Sequence, residues 1–361
     1  MAKSVYIHIP FCRSICSYCD FTKILYDEKY TKPYLYKLKD EIEEFYNKEE
    51  IETLYIGGGT PSCLNEEELS ILGDIVNLFN IPRRCEFTFE CNIQDINESL
   101  LKKLKKMKVN RLSIGIESFD KCKLEFMNRM TSFEDASSKI ALARSYGFNN
   151  INLDLMYGIP GEKIKDTRRD LKYLLKLNPE HISTYSLIIE EHTMCKIKNY
   201  ENIDPEEELK MYDYIRYKLK RKGYSHYEIS NFSKPGYESK HNLTYWNNGE
   251  YYGFGLGASG YIEGFRYENS KNIDDYLLGK YKHTKELLGK QEMMENEVML
   301  GLRKIEGINI EDFFKKYDVN IQDVFPVKPL IKNGELIYKN GYIYINPQYI
   351  YVMNEILLKL I

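Results

Sequence analysis

The first half of the chain alternates short apolar runs with longer amphipathic stretches. Apolar residues at every second position predict strands, and apolar residues recurring every three to four positions predict helices. The strand pattern falls on residues 5–9, 53–56, 86–89, 111–116, 150–155 and 181–187. The helix pattern falls between them, on residues 30–46, 66–79, 98–107, 133–146 and 164–177. This repeated alternation predicts an α/β fold with a parallel sheet, arranged as a partial (β/α)6 TIM-like barrel.

The second half of the chain loses this alternation after Glu190. A helix pattern at 206–222 and an extended stretch at 224–232 lead into a polar, Gly- and Tyr-rich region at 234–264. Short helices are predicted at 293–302, 310–317 and 351–360, with a strand at 342–345 after an Asn-Gly turn. The pattern predicts a core at 1–233 and a smaller α+β, winged-helix-like module at 234–361.

Polar residues cluster at the ends of the predicted strands. Three glycines follow the second strand, at 57–59, and Glu90, Glu117 and Asp154 close the next three strands. Because the carboxyl ends of the strands in a parallel barrel meet on one face, these groups are expected to surround one site. Solitary acids at such positions are often only helix caps. Asp154, however, lies between two leucines, where a carboxylate without a partner is costly.

The composition is ordinary for a soluble globular protein, with 43% hydrophobic and 29% charged residues. A net charge of −3 provides no electrostatic basis for nucleic-acid binding. No apolar run approaches the roughly 18 residues of a membrane span, and no signal peptide precedes the first strand. Eight cysteines without a disulfide framework fit a reducing compartment, so a cytoplasmic location is expected.

The chemistry of the chain begins at Cys12, Cys16 and Cys19, a Cys-x3-Cys-x2-Cys triplet directly after the first strand. A fully ligated electron-transfer cluster normally takes four cysteines. A triplet therefore indicates a [4Fe-4S] cluster with one open iron, suited to binding S-adenosylmethionine (SAM). Zinc is the weaker alternative, because no second cysteine or histidine pair follows to complete a tetrahedron.

The glycines at 57–59 allow the backbone to approach a ligand closely, although taken alone they are better explained by a tight strand-to-helix turn. The acids could accept hydrogen bonds from the ribose and the ammonium group of a bound nucleoside, and Arg129 could meet its carboxylate. Further along the chain, residues 240–246 (KHNLTYW) combine a histidine with aromatic rings. His241 is a candidate heme-iron ligand by this chemistry; the alternative is a histidine that fixes a loop by hydrogen bonds.

The motifs together resemble a known family. Residues 6–12 (YIHIPFC), 55–61 (YIGGGTP), 111–119 (RLSIGIESF) and 152–160 (NLDLMYGIP) are similar to those of the radical SAM family of oxygen-independent coproporphyrinogen III oxidases. The resemblance spans nearly the whole chain and implies the radical SAM type of barrel. It implies that Tyr6 lies against the cluster, Tyr18 near the adenine, and Gly58 and Gly59 at the SAM methionine. The full set of residues that it implies for SAM is Tyr6, Tyr18, Gly58, Gly59, Thr60, Glu90, Glu117, Arg129 and Asp154.

Two features separate the branches of this family. The true oxidases resemble Cys-x3-Cys-x2-Cys-x-Cys, whereas Phe21 occupies the last position here. They also carry an N-terminal extension, and the expectation from the resemblance is that this protein does not share it. The His-Asn-x2-Tyr-Trp element at 241–246 resembles the heme-binding motif of the HemW-type heme chaperones. That resemblance implies a protein that binds heme through His241 and delivers it to acceptor hemoproteins, including membrane-associated ones.

Other readings stay open at this point. A radical SAM decarboxylase of coproporphyrinogen III is the main alternative, and a radical SAM enzyme that methylates or opens heme is a third. Catalytic residues are not assigned by the sequence, and neither is enzymatic turnover. The family usually has glutamine where Glu117 stands, and often a proline after Glu90 that is absent here, so the SAM pocket is expected to differ from that of its relatives.

Overall fold

The computed structural model describes residues 2–361. Its strands are β1 (Ser4–Ile9), β2 (Phe11–Cys12), β3 (Ile24–Leu25), β4 (Thr53–Gly58), β5 (Glu86–Asn92), β6 (Arg111–Glu117), β7 (Ile151–Tyr157), β8 (His181–Ser186), β9 (Ser225–His226), β10 (Asn231–Ser233), β11 (Tyr251–Phe254), β12 (Ser259–Ile262), β13 (Phe265–Asn269), β14 (Lys282–Leu287), β15 (Ile308–Asn309), β16 (Leu336–Lys339) and β17 (Tyr342–Ile345).

The helices are α1 (Glu28–Phe45), α2 (Glu66–Val76), α3 (Glu98–Lys106), α4 (Lys121–Met127), α5 (Phe133–Ser145), α6 (Ile164–Lys176), α7 (Met194–Ile197), α8 (Pro205–Arg221), α9 (Lys240–Trp246), α10 (Ile273–Leu277), α11 (Lys290–Gly301), α12 (Ile310–Tyr317), α13 (Ile321–Val324), α14 (Val327–Lys332) and α15 (Met353–Leu357). Short 3-10 helices lie at Pro61–Cys63, Ile93–Asp95 and Ile350–Val352.

The six predicted strands of the first half are β1 and β4 to β8, and they pair in parallel in the order β1-β4-β5-β6-β7-β8. Each end of these strands and of the helices α1, α2, α3, α5 and α6 lies within three residues of its predicted position. The predicted α/β class with a large, mostly parallel sheet is confirmed. Parallel strands connected through helices bury both of their faces, which explains the strength of the sequence pattern.

The strand β6 shows how the two faces divide. Leu112 and Ile114 are fully buried in the core. The alternate residues Arg111, Ser113 and Glu117 line a cavity on the opposite, concave face of the sheet. Successive side chains of a strand point to opposite faces. The polar positions of these strands therefore form the inside of the partial barrel.

The large sheet continues beyond this barrel on the β1 side. Strand β11 pairs in parallel with β1, with Ser4 opposite Tyr251 and Tyr6 opposite Gly253. Strands β12, β13 and β14 follow as an antiparallel extension. Residues 251–287 are thus part of the same sheet as the barrel, and the division predicted after residue 233 does not coincide with an edge of that sheet.

A smaller sheet in the order β15-β17-β16 lies among the helices α11 to α14 of the C-terminal part. Its hairpin turns at Asn340 and Gly341, with φ angles of 53° and 82°. Two consecutive positive φ angles are typical of the type I′ turn that Asn-Gly favours. Helices followed by a hairpin agree with the α+β, winged-helix-like character expected of this region. Within the described residues, no helix is both long enough and apolar enough to span a bilayer.

Candidate functional site

A cavity of about 700 Å³ opens where the parallel strands end at their carboxyl termini. Most of the residues expected to bind cofactors line this cavity: Cys12, Cys16, Tyr18, Cys19, Gly58, Gly59, Thr60, Glu90, Glu117, Arg129 and Asp154. The residues at the strand ends, which the sequence places on one face of the barrel, therefore lie together in this structure. Tyr6 and His241 are outside this lining.

The loop that carries the three thiols is fixed to neighbouring elements by backbone and side-chain contacts. The Ser17 hydroxyl donates to the Phe126 carbonyl at 2.6 Å. The Asn128 side-chain amide donates to Ser14 Oγ and to the Ile15 carbonyl, each at 3.0 Å. The C-terminal end of α4 and the residue after it thus hold the loop in place.

The thiols themselves are suited to receive a metal cluster. Burial raises the pKa of the Cys12 thiol to about 11, and the Thr60 hydroxyl donates to its sulfur at 3.5 Å. A thiol with this pKa is neutral until a metal displaces its proton. Cys16 and Cys19 line the same cavity as Cys12.

Helix α4 is anchored by a buried ion triad. Lys123 Nζ lies 2.7 Å from Glu162 Oε1 and 3.0 Å from Asp170 Oδ2. It also donates to the Met156 carbonyl at 3.1 Å, at the end of β7. Asp170 in turn accepts from the Ser118 hydroxyl at 2.6 Å, just after β6. The triad therefore ties α4, and through it the cysteine loop, to the ends of two barrel strands and to α6.

The glycine loop after β4 is explained by packing against β1. Gly58 has a φ of 111°, and a Cβ at this position would lie 2.4 Å from the His8 ring. A Cβ on Gly59 would lie 2.7 Å from the Pro10 carbonyl carbon. A larger residue would push the cysteine-bearing segment away. Both glycines also line the cavity, so the tight turn and the close approach to a ligand occur together.

Tyr6 does not line the cavity, and its hydroxyl contacts His8 instead. Its hydroxyl is 2.9 Å from His8 Nδ1, and His8 Nε2 is 2.7 Å from the Thr22 carbonyl. Since a carbonyl only accepts, Nε2 carries the proton and Nδ1 accepts from Tyr6. The Tyr6 hydroxyl thus fixes His8 beneath the glycine loop, and a position of Tyr6 against the cluster stays a prediction.

Glu90 and Glu117 project into the cavity from neighbouring strands. Glu90 accepts from the Tyr55 hydroxyl at 2.6 Å and from the Gly58 amide at 3.0 Å, and burial raises its pKa. Glu117 sits at a β-bulge with a φ of 64°. Bulges re-aim side chains at the rim of a sheet. Here the bulge directs the carboxylate to Arg129, 3.3 Å away.

Arg129 has a hydrogen-bond donor that no group of the protein uses. One of its terminal nitrogens donates to the Gly115 carbonyl at 3.1 Å, and the other faces Glu117. Its Nε is buried without a hydrogen-bond partner. A buried guanidinium nitrogen in a cavity wall is suited to the carboxylate of a ligand. Arg129 is therefore paired with Glu117, and its Nε donor is left unused.

Asp154 is held by a hydrogen-bond network that was not predicted. It accepts from the Asn152 amide at 2.7 Å, and the Asn152 oxygen contacts His181 Nδ1 at 2.6 Å and Ser183 Oγ at 3.1 Å. Burial and the Glu117 charge raise the pKa of Asp154 to about 7. The network could have been predicted from the polar residues at alternate positions of β6, β7 and β8, because alternate positions of a strand lie on the same face.

His241, the candidate heme ligand, does not line this cavity. Its ring is 1% exposed, Nδ1 is 2.8 Å from Thr53 Oγ1, and Nε2 is 2.8 Å from the Tyr245 hydroxyl. Both nitrogens therefore have partners, and neither has a free lone pair directed at a ligand. In this structure the side chain fixes α9 to the base of β4. The arrangement is the one described by the alternative, a histidine that fixes a loop by hydrogen bonds, and ligation of heme iron by His241 stays a prediction.

The residues of the cavity fit the groups that the cysteine motif implies. Three thiols surround the mouth, and three carboxylates and an arginine nitrogen without a partner lie next to them. Carboxylates suit the sulfonium and ammonium charges of SAM, and the arginine suits its carboxylate. A parallel barrel with such a site defines a protein of the radical SAM class. Residues 6–174 match the model of the radical SAM superfamily, and residues 288–350 match the HemN C-terminal domain.

The chain belongs to the HemW family of heme chaperones. It is 37% identical to the heme chaperone HemW of Lactococcus lactis, over 94% of this chain and 91% of that protein. It is 39% identical to HemW of Bacillus subtilis, over 98% of each. Among solved structures, coproporphyrinogen III oxidase (HemN) from Escherichia coli matches with a TM-score of 0.87 and 22% identity, over 99% of this chain and 89% of that one. The last similarity confirms the fold.

Replacing Glu117 with glutamine is expected to shift the pH dependence of SAM binding. The Glu117 charge is, after burial, the largest cause of the raised Asp154 pKa, so its removal should lower that pKa below about 7. A cationic ligand binds better when Asp154 is ionised. Wild-type affinity should therefore rise with pH around 7, and in Glu117→Gln the rise should occur at lower pH. Calorimetric titration with SAM between about pH 6 and 8 measures this shift.

The control for this experiment is Asp154→Asn, in which no such rise is expected. A Glu117→Gln protein whose affinity rises at the same pH as that of the wild type would exclude the proposed coupling between the two acids.

Proposed function

We propose that this protein is a heme chaperone that holds a [4Fe-4S] cluster and SAM and transfers heme to acceptor hemoproteins, membrane-associated ones among them. The observation that carries the proposal is the similarity to HemW proteins, 37% and 39% over more than nine-tenths of the chain. It is supported by Phe21, which lines the mouth of the cavity and is 65% exposed. That side chain cannot ligate iron, so the loop offers three thiols to the cluster.

The assignments within the cavity are part of the proposal. Cys12, Cys16 and Cys19 would hold three irons, and Arg129 Nε would donate to the SAM carboxylate. The Asp154 and Glu90 carboxylates would accept from the ribose and ammonium groups. When bound, the cluster and SAM can supply one-electron chemistry. The chain contributes the binding groups and the exclusion of water, through a cavity whose acids are themselves buried.

The experiment that tests the proposal is an anaerobic titration of the cluster-reconstituted protein with hemin, followed by the Soret band. Saturable one-to-one binding with SAM left intact is the expected result. Heme should then pass to the heme-free form of a membrane cytochrome in vesicles, seen as the cytochrome's own Soret spectrum. Vesicles without the cytochrome are the control.

Two results would overturn the proposal. Conversion of coproporphyrinogen III with cleavage of SAM, and without specific hemin binding, would identify an oxidative decarboxylase, a protein that shares this fold. Consumption of SAM together with chemical change of the bound heme would identify a heme-modifying enzyme. The same samples decide between all three outcomes, since SAM, heme and coproporphyrinogen can each be quantified by chromatography.

A further inference from the structure

The cavity of about 700 Å³, which we call the cluster cavity, contains two arginines whose Nε atoms are buried without a hydrogen-bond partner. Arg129 contacts the carboxyl end of β6 and is assigned to the SAM carboxylate. Arg111 is the first residue of β6 and is 2% exposed. Its Nε donor has no role in the proposed SAM site. The cavity therefore holds a second buried cationic donor whose partner has to be identified.

Arg111 also has no ion-pair partner. The arginines that form ion pairs within residues 2–361 are Arg13, Arg84, Arg129, Arg144, Arg169 and Arg216. Arg111 is not one of them, so no carboxylate of these residues lies within 4.0 Å of its guanidinium. Arginine is almost never fully buried unless it is paired, because an uncompensated buried charge is costly. The burial of Arg111 is therefore better explained by the anion of a ligand than by the stability of the fold.

A contact with Thr88 shows where the Arg111 guanidinium lies. A terminal nitrogen of Arg111 is 3.4 Å from Thr88 Oγ1, and Thr88 is the residue that pairs with Arg111 across β5 and β6. The guanidinium thus stays near the level of its own residue. Arg129 donates to the carbonyl of Gly115, four residues further along β6. At about 3.3 Å per residue this is a separation of about 13 Å, so one carboxylate cannot contact both guanidinium groups.

The charges around Arg111 leave this position open to an anion. Burial, followed by the Arg111 charge, lowers the pKa of His241 to about 3 and lowers the pKa of His181 as well, so both rings are neutral. Glu90 is the acid whose charge acts together with that of Arg111, and burial raises its pKa. The Glu90 carboxylate already accepts two hydrogen bonds from the protein. None of these groups serves as the counter-ion of Arg111.

Ser113 provides a second donor beside Arg111. The two residues occupy alternate positions of β6, so they lie on the same inner face, and both line the cluster cavity. Ser113 Oγ accepts from the Asn152 amide at 2.9 Å, which leaves the hydroxyl proton of Ser113 for another acceptor. A guanidinium and a hydroxyl on one face can both donate to a carboxylate, and the bond from the guanidinium is charge-assisted.

The cluster cavity is long enough for a second ligand besides SAM. Its lining extends from Cys19 in the cysteine loop to Asn242 in α9. Helix α9 lies at the amino ends of the strands, where the His241 amide donates to Glu86, the first residue of β5, at 3.0 Å. The volume of about 700 Å³ falls within the range of about 300–1,000 Å³ that is usual for small-molecule sites. A molecule at Arg111 would lie between α9 and the SAM position.

We propose that the amino end of the cluster cavity binds a small carboxylic acid together with SAM, and that Arg111 and Ser113 are its anion-binding residues. The acid binds as its carboxylate and undergoes no covalent change in this step. The inference goes beyond the proposed function and rests on it only for the placement of the SAM carboxylate at Arg129.

The test is a titration of the full-length, cluster-reconstituted protein with acetate, in the presence of saturating SAM so that Arg129 is occupied. The NMR signal of carboxyl-labelled acetate reports binding, and sodium chloride keeps the ionic strength constant. The wild type should bind acetate saturably. In Arg111→Met the dissociation constant should rise by about tenfold or more, because a charge-assisted hydrogen bond is lost. Arg83→Met, at an exposed arginine, is the matched control and should bind acetate as the wild type does.

Two further measurements separate ligand binding from a structural role. Ser113→Ala removes the second donor with little change in volume and should raise the dissociation constant for acetate several-fold. Arg111→Met breaks no ion pair, so the denaturation midpoint of the apo protein should be at or above that of the wild type. A lower midpoint in Arg111→Met would show that the fold itself requires the guanidinium and would overturn the ligand assignment.

Equal acetate affinity in the wild type, Arg111→Met and Ser113→Ala would overturn the proposal. Complete displacement of acetate by SAM would overturn it as well, since it would show a single anion position at Arg129, and so would a wild type without saturable acetate binding. Failure of the proposed function gives a different result: hemin or SAM would not bind, whereas acetate binding would still depend on Arg111. The two failures are therefore distinguishable.

Discussion

Replacing Lys123 with methionine is expected to lower the free energy of unfolding by about 3–5 kcal/mol, because two carboxylates would remain buried without their cation. Lys123 is 6% exposed, and Glu162 and Asp170 are fully buried. Methionine preserves the length of the side chain, so the change removes charge and hydrogen bonds more than volume. Chemical denaturation of the apo protein, monitored by circular dichroism, measures the effect.

The matched control is Lys121→Met on the same helix. Lys121 is 89% exposed and pairs with Glu125 at 3.7 Å. A solvent-exposed pair of this kind contributes at most about 1 kcal/mol. A triple variant with Lys123→Met, Glu162→Gln and Asp170→Asn should recover much of the lost stability, since no unpaired charge remains. If Lys123→Met were as stable as Lys121→Met, the triad would have no role in holding α4.

The effect of Lys123 should extend to the cysteine loop. Ser17 and Asn128 connect that loop to the end of α4, and α4 is held to the barrel by the triad. A loosened helix would leave the three thiols less ordered before a cluster binds. The stability of the site is therefore distributed over contacts that no motif in the sequence marks.

The barrel could be predicted from the sequence because its physical signal is local. A strand buried on both faces and the amphipathic helix that follows it each impose a periodicity on their own residues, independent of distant partners. The same logic placed Glu90, Glu117 and Asp154 together, since parallel strands bring their carboxyl ends to one edge. These predictions required only the order of the elements along the chain.

The positions of β11 and α9 depend on contacts between distant residues. Ser4 pairs with Tyr251, and Thr53 contacts His241 across 188 positions of the chain. The sequence pattern of residues 240–254 does not show that α9 packs against the concave face of the sheet. As a result, the sequence left two readings of His241 open, a heme-iron ligand and a histidine that fixes a loop by hydrogen bonds, and its local pattern could not decide between them.

Arg111 was missed for a related reason. Arg111 is the first residue of β6, away from the carboxyl ends of the strands where site residues were expected. Its long side chain nevertheless lines the cavity. It is 2% exposed, its Nε has no partner, and one terminal nitrogen lies 3.4 Å from Thr88 Oγ1. Its alternation with Ser113 and Glu117 on the inner face was the signal that could have revealed it.

Loss of any one of Cys12, Cys16 and Cys19 is expected to abolish cluster assembly. The motif supplies three thiols for four irons, so it contains no further cysteine that could bind the iron whose ligand is removed. Cys12→Ala, Cys16→Ala and Cys19→Ala should each reconstitute with iron and sulfide at background level. Iron analysis and the visible absorption of the cluster measure this after anaerobic reconstitution.

Cys91 and Cys63 provide the controls that make this experiment decisive. Cys91 is the fourth cysteine in the lining of this cavity and is 5% exposed, so it is the candidate for a fourth thiolate ligand. Cys63 is fully buried, and its sulfur contacts the Phe11 carbonyl at 3.4 Å. Cys91→Ala and Cys63→Ala should both retain four irons. Loss of the cluster in Cys91→Ala would show four-cysteine ligation, which would close the open iron and remove the physical basis for SAM binding at this site; retention would leave that iron free for the ligand that Arg129, Glu90 and Asp154 are arranged to hold.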